Sequence, residues 1–191
     1  MALKFSDEFE HGFAWYEEDA KLPRTSHAIR SGGRVWLTDT VDGPGLDERI
    51  RTLGEPAGVI QLLDRHKRDC AAVAARLGVP LHILEAPEGL EARTILDRRI
   101  WKEIALWLPE ERILVFADAL GSIAYFRAKN EPFGVQPLLR LFPPKRALAG
   151  LEPEHILFGH GPGYHGPDAP EKLREALATS RRRLPKALLP G

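Results

Sequence analysis

Short apolar segments that stop abruptly at polar residues are the feature that most restricts how this chain can fold. Ile113–Ala117 is uniformly apolar and is followed by Asp118, and Ile156–Phe158 runs into the glycine-rich turn Gly159–Gly163. Apolar runs this short, bounded by turn residues, are typical of buried strands. Since helix-forming segments lie between them, the pattern predicts an α/β protein whose functional side chains follow the strand ends.

Apolar spacing and glycine or proline stop signals predict the order of the elements. Strands are predicted at 32–40, 57–63, 81–84 and 154–158, and a hairpin is predicted from 100–108 and 113–117. Helices are predicted at 46–53, 70–77 and 168–182, with short helical pieces at 136–142 and 144–151. This order favours a mixed sheet with helices on both faces.

Composition narrows the classes of function. A length of 191 residues favours one domain over residues 1–191. Lys+Arg 27 balance Asp+Glu 27, and a chain without net positive charge is not expected to have nucleic acid as its partner. The sequence shows no signal peptide and no apolar run of about 20 residues, so we expect a cytoplasmic protein with no membrane partner. Cys70 is the only cysteine, which excludes an intramolecular disulfide and a four-thiolate zinc site.

Three segments at predicted strand ends carry residues that could bind a metal ion. Gln61–Ala72, Leu114–Leu120 and Ile156–Gly161 resemble, in order and spacing, the metal-site segments of the metallo-β-lactamase-fold hydrolases. The resemblance extends over roughly residues 30 to 180 and includes the strand that ends at Asp39. It implies a metallo-β-lactamase-like αβ/βα sandwich, with mixed β-sheets flanked by helices and a site at the loop edge.

The resemblance also implies a ligand set. The family's first motif, HxHxDH, can be laid on this chain with Arg65, Lys67, Asp69 and Cys70 at its four ligand positions. The family's bridging aspartate then matches Asp118, its last histidine matches His160, and its middle histidine falls near Arg99. His66 lies between two motif positions, where we expect a surface or hydrogen-bonded histidine.

Three of these positions hold cations, which cannot give a lone pair to a metal ion. Because Arg65, Lys67 and Arg99 replace one ion's ligands, at most one Zn or Fe ion is expected, bound by Asp69, Cys70, Asp118 and His160. Asp69, Asp118 and His160 would then be the catalytic residues of a hydrolase with a small-molecule substrate.

The residues leave other interpretations open. Arg65, Lys67 and Arg99 could pair with Asp69 and Asp118 in a metal-free site with a binding or scaffolding role, or could bind an anionic ligand. Asp69 also has the position of a helix N-cap, and Cys70 that of a buried small hydrophobe. The proline-rich segment 132–144 would suit a lid or a contact between subunits of a homo-oligomer.

Overall fold

Two mixed β-sheets form the centre of the fold, and helices cover their outer faces. The structure is a computed structural model that describes residues 2–18 and 23–187. The six-stranded sheet contains, in spatial order, β1 (Leu3–Phe9), β2 (Gly12–Glu17), β3 (Ser26–Ser31), β4 (Arg34–Thr38), β5 (Pro56–Gln61) and β6 (Leu81–Ile83). The five-stranded sheet contains β7 (Glu91–Arg98), β8 (Trp101–Leu108), β9 (Ile113–Phe116), β12 (His155–Phe158) and β13 (Tyr164–His165).

A short strand pair and the helices complete the described elements. β10 (Leu120–Gly121) pairs with β11 (Gly134–Val135), and a 3₁₀ helix covers Pro137–Leu139. The α-helices are α1 (Leu46–Leu53), α2 (Cys70–Leu77) and α3 (Ala169–Ala187). Across residues 2–18 and 23–187, no helix is both long enough and apolar enough to cross a membrane.

Strand direction determines where the loops meet. β9 and β12 are parallel neighbours with Phe116 opposite Phe158, so the residues that follow both strands emerge at the same edge of the sheet. In the other sheet β4, β5 and β6 are parallel, and an isolated bridge pairs Leu63, just after β5, with Glu103 on β8. The loops after β5, β9 and β12 therefore meet at one edge of the two sheets.

Two apolar clusters account for the layers. One cluster contains residues of both sheets, such as Ile60 and Leu114, together with Leu173 and Leu177 on α3. The other lies on the outer face of the six-stranded sheet, where α1 and α2 pack. This arrangement of helix, sheet, sheet and helix confirms the predicted αβ/βα sandwich.

Most of the predicted elements are present, and two differences stand out. The strands β1 to β3 and β7 lie in segments for which the sequence predicted no element. The prediction of helical pieces at 136–142 and 144–151 was wrong: only Pro137–Leu139 forms a 3₁₀ helix, and 145–150 forms turns. Pieces this short are not stable helices without extensive packing.

The proline-rich segment is attached to α3 by a buried ion pair. Arg140 is fully buried and donates to the Glu131 carboxylate at 2.7 Å and to the Phe126 carbonyl. Arg183 on α3 donates to the same carboxylate at 3.0 Å, and the Ser180 hydroxyl donates to the Arg140 carbonyl. These contacts hold 132–144 against the body of the fold.

Candidate metal centre

Three side chains converge where the loops after β5, β9 and β12 meet. One ligating atom each of His66, Asp118 and His160 lies within 4.8 Å of the other two. Asp118 Oδ1 is 3.1 Å from His160 Nε2 and 3.4 Å from His66 Nε2. The structure therefore brings together two of the predicted residues, Asp118 and His160, and adds His66.

Tight backbone packing positions His160 after β12. A side chain at position 159 would place its Cβ 2.5 Å from the Ala117 carbonyl oxygen, and Gly161 has a φ of +99, a conformation that favours glycine. His160 Nδ1 lies 2.9 Å from the Pro23 carbonyl oxygen. Because a carbonyl can only accept, Nδ1 carries the proton, and the Nε2 of the neutral ring presents a lone pair to Asp118.

Glu103 holds the loop that carries Asp118. Its Oε1 accepts the backbone N–H groups of Asp118 at 2.9 Å and Ala119 at 2.8 Å, and its Oε2 accepts the Trp101 indole N–H. Burial raises the pKa of Glu103 to about 8, against the opposing effect of these three donors. No motif in the sequence points to Glu103; its only signal is an acidic residue in an otherwise largely apolar strand.

The Asp118 carboxylate has an unsatisfied oxygen. Oδ1 is buried and has no hydrogen-bond partner, because the two imidazole nitrogens are close enough but not aligned for hydrogen bonds. Burial by itself would raise the pKa of Asp118, but hydrogen bonds and positive charge from the His160 and His66 imidazoles, when these carry a proton on Nε2, hold it well below the usual range of an aspartate. A lone pair on His160 and a carboxylate oxygen this close repel each other unless a proton or a metal ion lies between them.

The distances fit a metal ion. Ligand atoms that bind one tetrahedral zinc ion at about 2.0–2.1 Å are separated by about 3.3–3.4 Å. The two distances from Asp118 Oδ1 to the imidazole nitrogens, 3.1 and 3.4 Å, are close to this value. Two imidazole nitrogens and one carboxylate oxygen are also a donor set that suits zinc or iron.

A buried guanidinium lies beside this cluster. Arg68 donates from Nη1 to the carbonyls of Thr25 at 2.8 Å and Asp39 at 2.7 Å, and from Nη2 to His66 Nδ1 at 3.4 Å. Its Nη2 also reaches the Gly159 carbonyl at 3.4 Å, and its φ of 43 lies in the left-handed region. Arg68 therefore joins the ends of three strands and places a positive charge at the site.

Asp69 and Cys70 are not part of the cluster, contrary to the ligand set predicted for them. The Asp69 carboxylate accepts the backbone N–H of Asp42 at 2.9 Å, and it makes no side-chain cap bond to α2 although it precedes that helix. Cys70 is fully buried in the apolar cluster beneath α2, where burial raises the pKa of its thiol to about 11. The hydrophobic interpretation of Cys70 fits this placement.

The three predicted anion-binding cations lie on the surface. Arg65, Lys67 and Arg99 are exposed, and Arg65 stacks over the Trp101 ring at 4.6 Å from its centroid. Among the residues that the structure describes, none of the three forms an ion pair with Asp69 or Asp118. The metal-free network predicted from these pairs is therefore corrected: the cation next to the cluster is Arg68.

Laying the HxHxDH motif one residue earlier on the chain accounts for the difference between the predicted ligands and the observed cluster. With His66 at the second histidine of HxHxDH, the motif covers 64–69, and Asp64, Arg68 and Asp69 stand at its other three ligand positions. His66 is then the one residue that matches. Arg68 then stands at the aspartate of the motif, and its guanidinium cannot give a lone pair to a metal ion.

Comparisons with known proteins support the αβ/βα sandwich described above. No protein-family model and no curated protein matches the chain. Among solved structures, the DIM-1 metallo-β-lactamase is similar with a TM-score of 0.63 and 13% identity, over 97% of this chain and 98% of that chain.

Two further structures extend the similarity. A metallo-β-lactamase from Pontibacter korlensis has a TM-score of 0.59 and 11% identity, over 93% of this chain and 99% of that chain. The chemotaxis sensor ODP, solved with a peroxy diiron species, has a TM-score of 0.57 and 14% identity, over 93% of this chain and 94% of that chain. Identity this low supports a shared fold and leaves the activity to be argued from the site.

Proposed function

The chain has the metallo-β-lactamase fold, and we propose that it is a hydrolase with a single zinc or iron ion bound by His66, Asp118 and His160. The observation that supports this most strongly is the buried Asp118 Oδ1, which has no hydrogen-bond partner and faces two imidazole nitrogens at 3.1 and 3.4 Å. Three protein ligands leave a coordination position open, which is typical of catalytic rather than structural sites.

The protein would contribute a rigid ligand set. The Pro23 carbonyl holds His160 in the tautomer whose Nε2 can bind a metal ion, and Glu103 holds the backbone of Asp118. Both are the outer contacts that orient ligands in metal enzymes. A bound ion would supply Lewis acidity and would lower the pKa of a coordinated water toward neutrality.

Arg68 would replace the second ion of two-metal relatives as a source of charge. Its guanidinium lies beside His66 and donates to three backbone carbonyls. Its contact with His66 Nδ1 belongs to the metal-free state, because a metal ion on Nε2 requires the proton of the neutral ring to be on Nδ1. Because these carbonyls fix the guanidinium, Arg68 would compensate the charge of Asp118 rather than bind substrate. Loss of the second ion would change the reaction, since two-metal sites use both ions on attacking and leaving groups.

The surface near the site favours a small substrate with an anionic group. Arg65 is exposed and stacks on Trp101, whose indole N–H donates to Glu103, the residue that holds the Asp118 loop. Two residues, Trp101 and Glu103, therefore connect Arg65 to Asp118, and the exposed guanidinium could bind a carboxylate or phosphate. We propose esters, thioesters, amides or phosphoesters carrying such a group as the substrate class.

The test is turnover with defined metal. Metal-depleted protein is supplied with one equivalent of zinc or ferrous iron and assayed on chromogenic carboxylic esters and phosphoesters. Replacing His160 with alanine or Asp118 with asparagine should abolish metal-dependent turnover, and the control His82→Ala, which alters a half-buried histidine elsewhere, should not. Metal-dependent turnover that survives both site substitutions would overturn the assignment.

One contact favours a second candidate function. Arg68 Nη2 donates to His66 Nδ1, which leaves the proton of a neutral His66 on Nε2, the atom that faces Asp118. In that state His66, Asp118 and Arg68 form a metal-free polar network, and the chain would have a binding or scaffolding role. Protein that takes up no metal from excess zinc or iron would support this second function.

A further inference from the structure

A second cluster of histidines lies apart from His66, Asp118 and His160. It joins the turn after β1, which carries Glu10 and His11, to His155 at the start of β12. One ligating atom of each of these three residues lies within 4.8 Å of the other two. Ligating atoms this close together could bind one metal ion, and they come from segments that are distant in the sequence.

Hydrogen bonds fix which nitrogen of His155 is free. His165 Nε2 lies 2.9 Å from the Asp7 carboxylate, so Nε2 donates and the Nδ1 of the neutral His165 ring accepts. His155 Nδ1 lies 2.9 Å from that His165 Nδ1 and must therefore donate its proton. His155 Nε2 is left with a lone pair, and this is the nitrogen nearest Glu10, at 3.8 Å from its Oε1.

This relay has the form of the outer contacts around bound metal ions. A ligating histidine usually donates its second N–H to a carboxylate, carbonyl or other acceptor, which sets the tautomer and the ring orientation. The Asp7 carboxylate is fixed in position because it also accepts the backbone N–H of Gly163. Burial would raise the pKa of Asp7, but the hydrogen bonds from His165 and Gly163 lower it, so it stays a carboxylate.

Phe9 packs the imidazoles in place. Its ring centroid lies 5.0 Å from those of both His155 and His165 and 6.2 Å from that of His11. The His155 side chain is only 13% exposed, whereas that of Glu10 is 72% exposed, so the cluster opens to solvent on the Glu10 side. The cluster is therefore open to an ion from the Glu10 side.

We propose that Glu10, His11 and His155 bind a divalent transition-metal ion, with zinc as the ion that two imidazoles and a carboxylate suit best. His165 and Asp7 are positioning residues. Glu10 and His11 lie in the turn after β1 of one sheet and His155 lies on β12 of the other, so a bound ion would link the two sheets at this end of the sandwich. This site does not depend on the proposed function, because it shares no residue with the other cluster.

The experiment isolates this cluster from the first. Zinc is titrated at pH 7.5 into the untagged double variant His66→Ala/His160→Ala, against a chromogenic zinc indicator, after circular dichroism has shown that the variant is folded. One equivalent of zinc should bind. Adding His155→Ala should weaken binding at least 100-fold, and adding the control His82→Ala, another histidine beside a carboxylate, should leave it unchanged.

Asp7→Asn tests the relay itself. Loss of an outer contact typically weakens metal binding about 10- to 100-fold, and we expect a loss in this range. A double variant that binds no zinc, or binding that His155→Ala does not alter, would overturn the site. If the double variant does not fold, imidazole ¹⁵N NMR of the metal-free wild-type protein replaces it: His155 should carry its proton on Nδ1, and a proton on Nε2 would refute the proposal.

Discussion

The buried histidine His27 makes the stability of the protein depend on pH in a way that can be worked out from its surroundings. Burial lowers the pKa of His27 from 6.5 to about 3; Asp7 raises it, while Arg68 and His165 lower it further. His27 Nδ1 contacts the Thr38 hydroxyl at 3.1 Å, and Nε2 has no hydrogen-bond partner. The folded protein therefore keeps this ring neutral at a pH where the unfolded chain protonates it.

The sign and size follow from linkage. Because the unfolded state binds the additional proton, the contribution of His27 to stability is complete above pH 6.5 and decreases as the pH falls toward 3. At pH 5.0 the loss is about 2 kcal/mol, since each unit between the pH and the unfolded pKa adds about 1.4 kcal/mol. Because the contribution is complete above pH 6.5, this loss of about 2 kcal/mol is also the change in stability between pH 7.5 and pH 5.0.

Comparison with His27→Asn isolates the effect. Asparagine does not titrate and can retain a contact with the Thr38 hydroxyl. Free energies of unfolding from urea titrations at pH 7.5 and 5.0 should show that the wild-type protein loses about 2 kcal/mol more than the variant. Other titrating groups cancel in this difference. Equal losses in the two proteins would mean that His27 is not held neutral, and would refute the argument from burial.

Two further predictions concern buried groups. Replacing Glu131 with leucine should lower the free energy of unfolding by about 3–5 kcal/mol in urea titrations, because it leaves the buried guanidinium of Arg140 without its carboxylate. The same change at the exposed Glu91 should lower it by less than about 1 kcal/mol. Equal effects of the two changes would contradict the importance of the buried pair. The Cys70 thiol should not react with a disulfide reagent at pH 7.5 until the protein is unfolded, because it is buried and its pKa is raised to about 11, and rapid labelling of the native protein would show that α2 is not packed as described.

Much of the fold could be predicted because its signals are local. Apolar runs that end at an aspartate or a glycine identify β9, β12, α1 and α2. β1 and β7 could not be identified this way because they are partly exposed strands with many polar residues. Their positions depend on pairing with β2 and β8, which no local pattern reveals.

The candidate site was predictable only in part for a similar reason. Asp118 and His160 directly follow buried strands, so strand order alone places them together. His66 lies in a loop whose course depends on the left-handed backbone of Arg68 and on the carbonyls that its guanidinium binds. The sequence favours an alignment of the motif on residues 65–70, because this places Asp69 at the motif aspartate. The folded loop instead brings His66 into the cluster, which corresponds to an alignment on residues 64–69.

Metal content is the measurement that tests the central claim most directly. Untagged protein carrying His155→Ala, which removes a ligand of the second histidine cluster, is purified without chelator and analysed by elemental mass spectrometry. The account predicts one equivalent of zinc or iron, lost when Asp118 is also replaced by asparagine. Protein that holds no metal after incubation with excess zinc or iron, or that keeps its metal after the Asp118 substitution, would contradict the account.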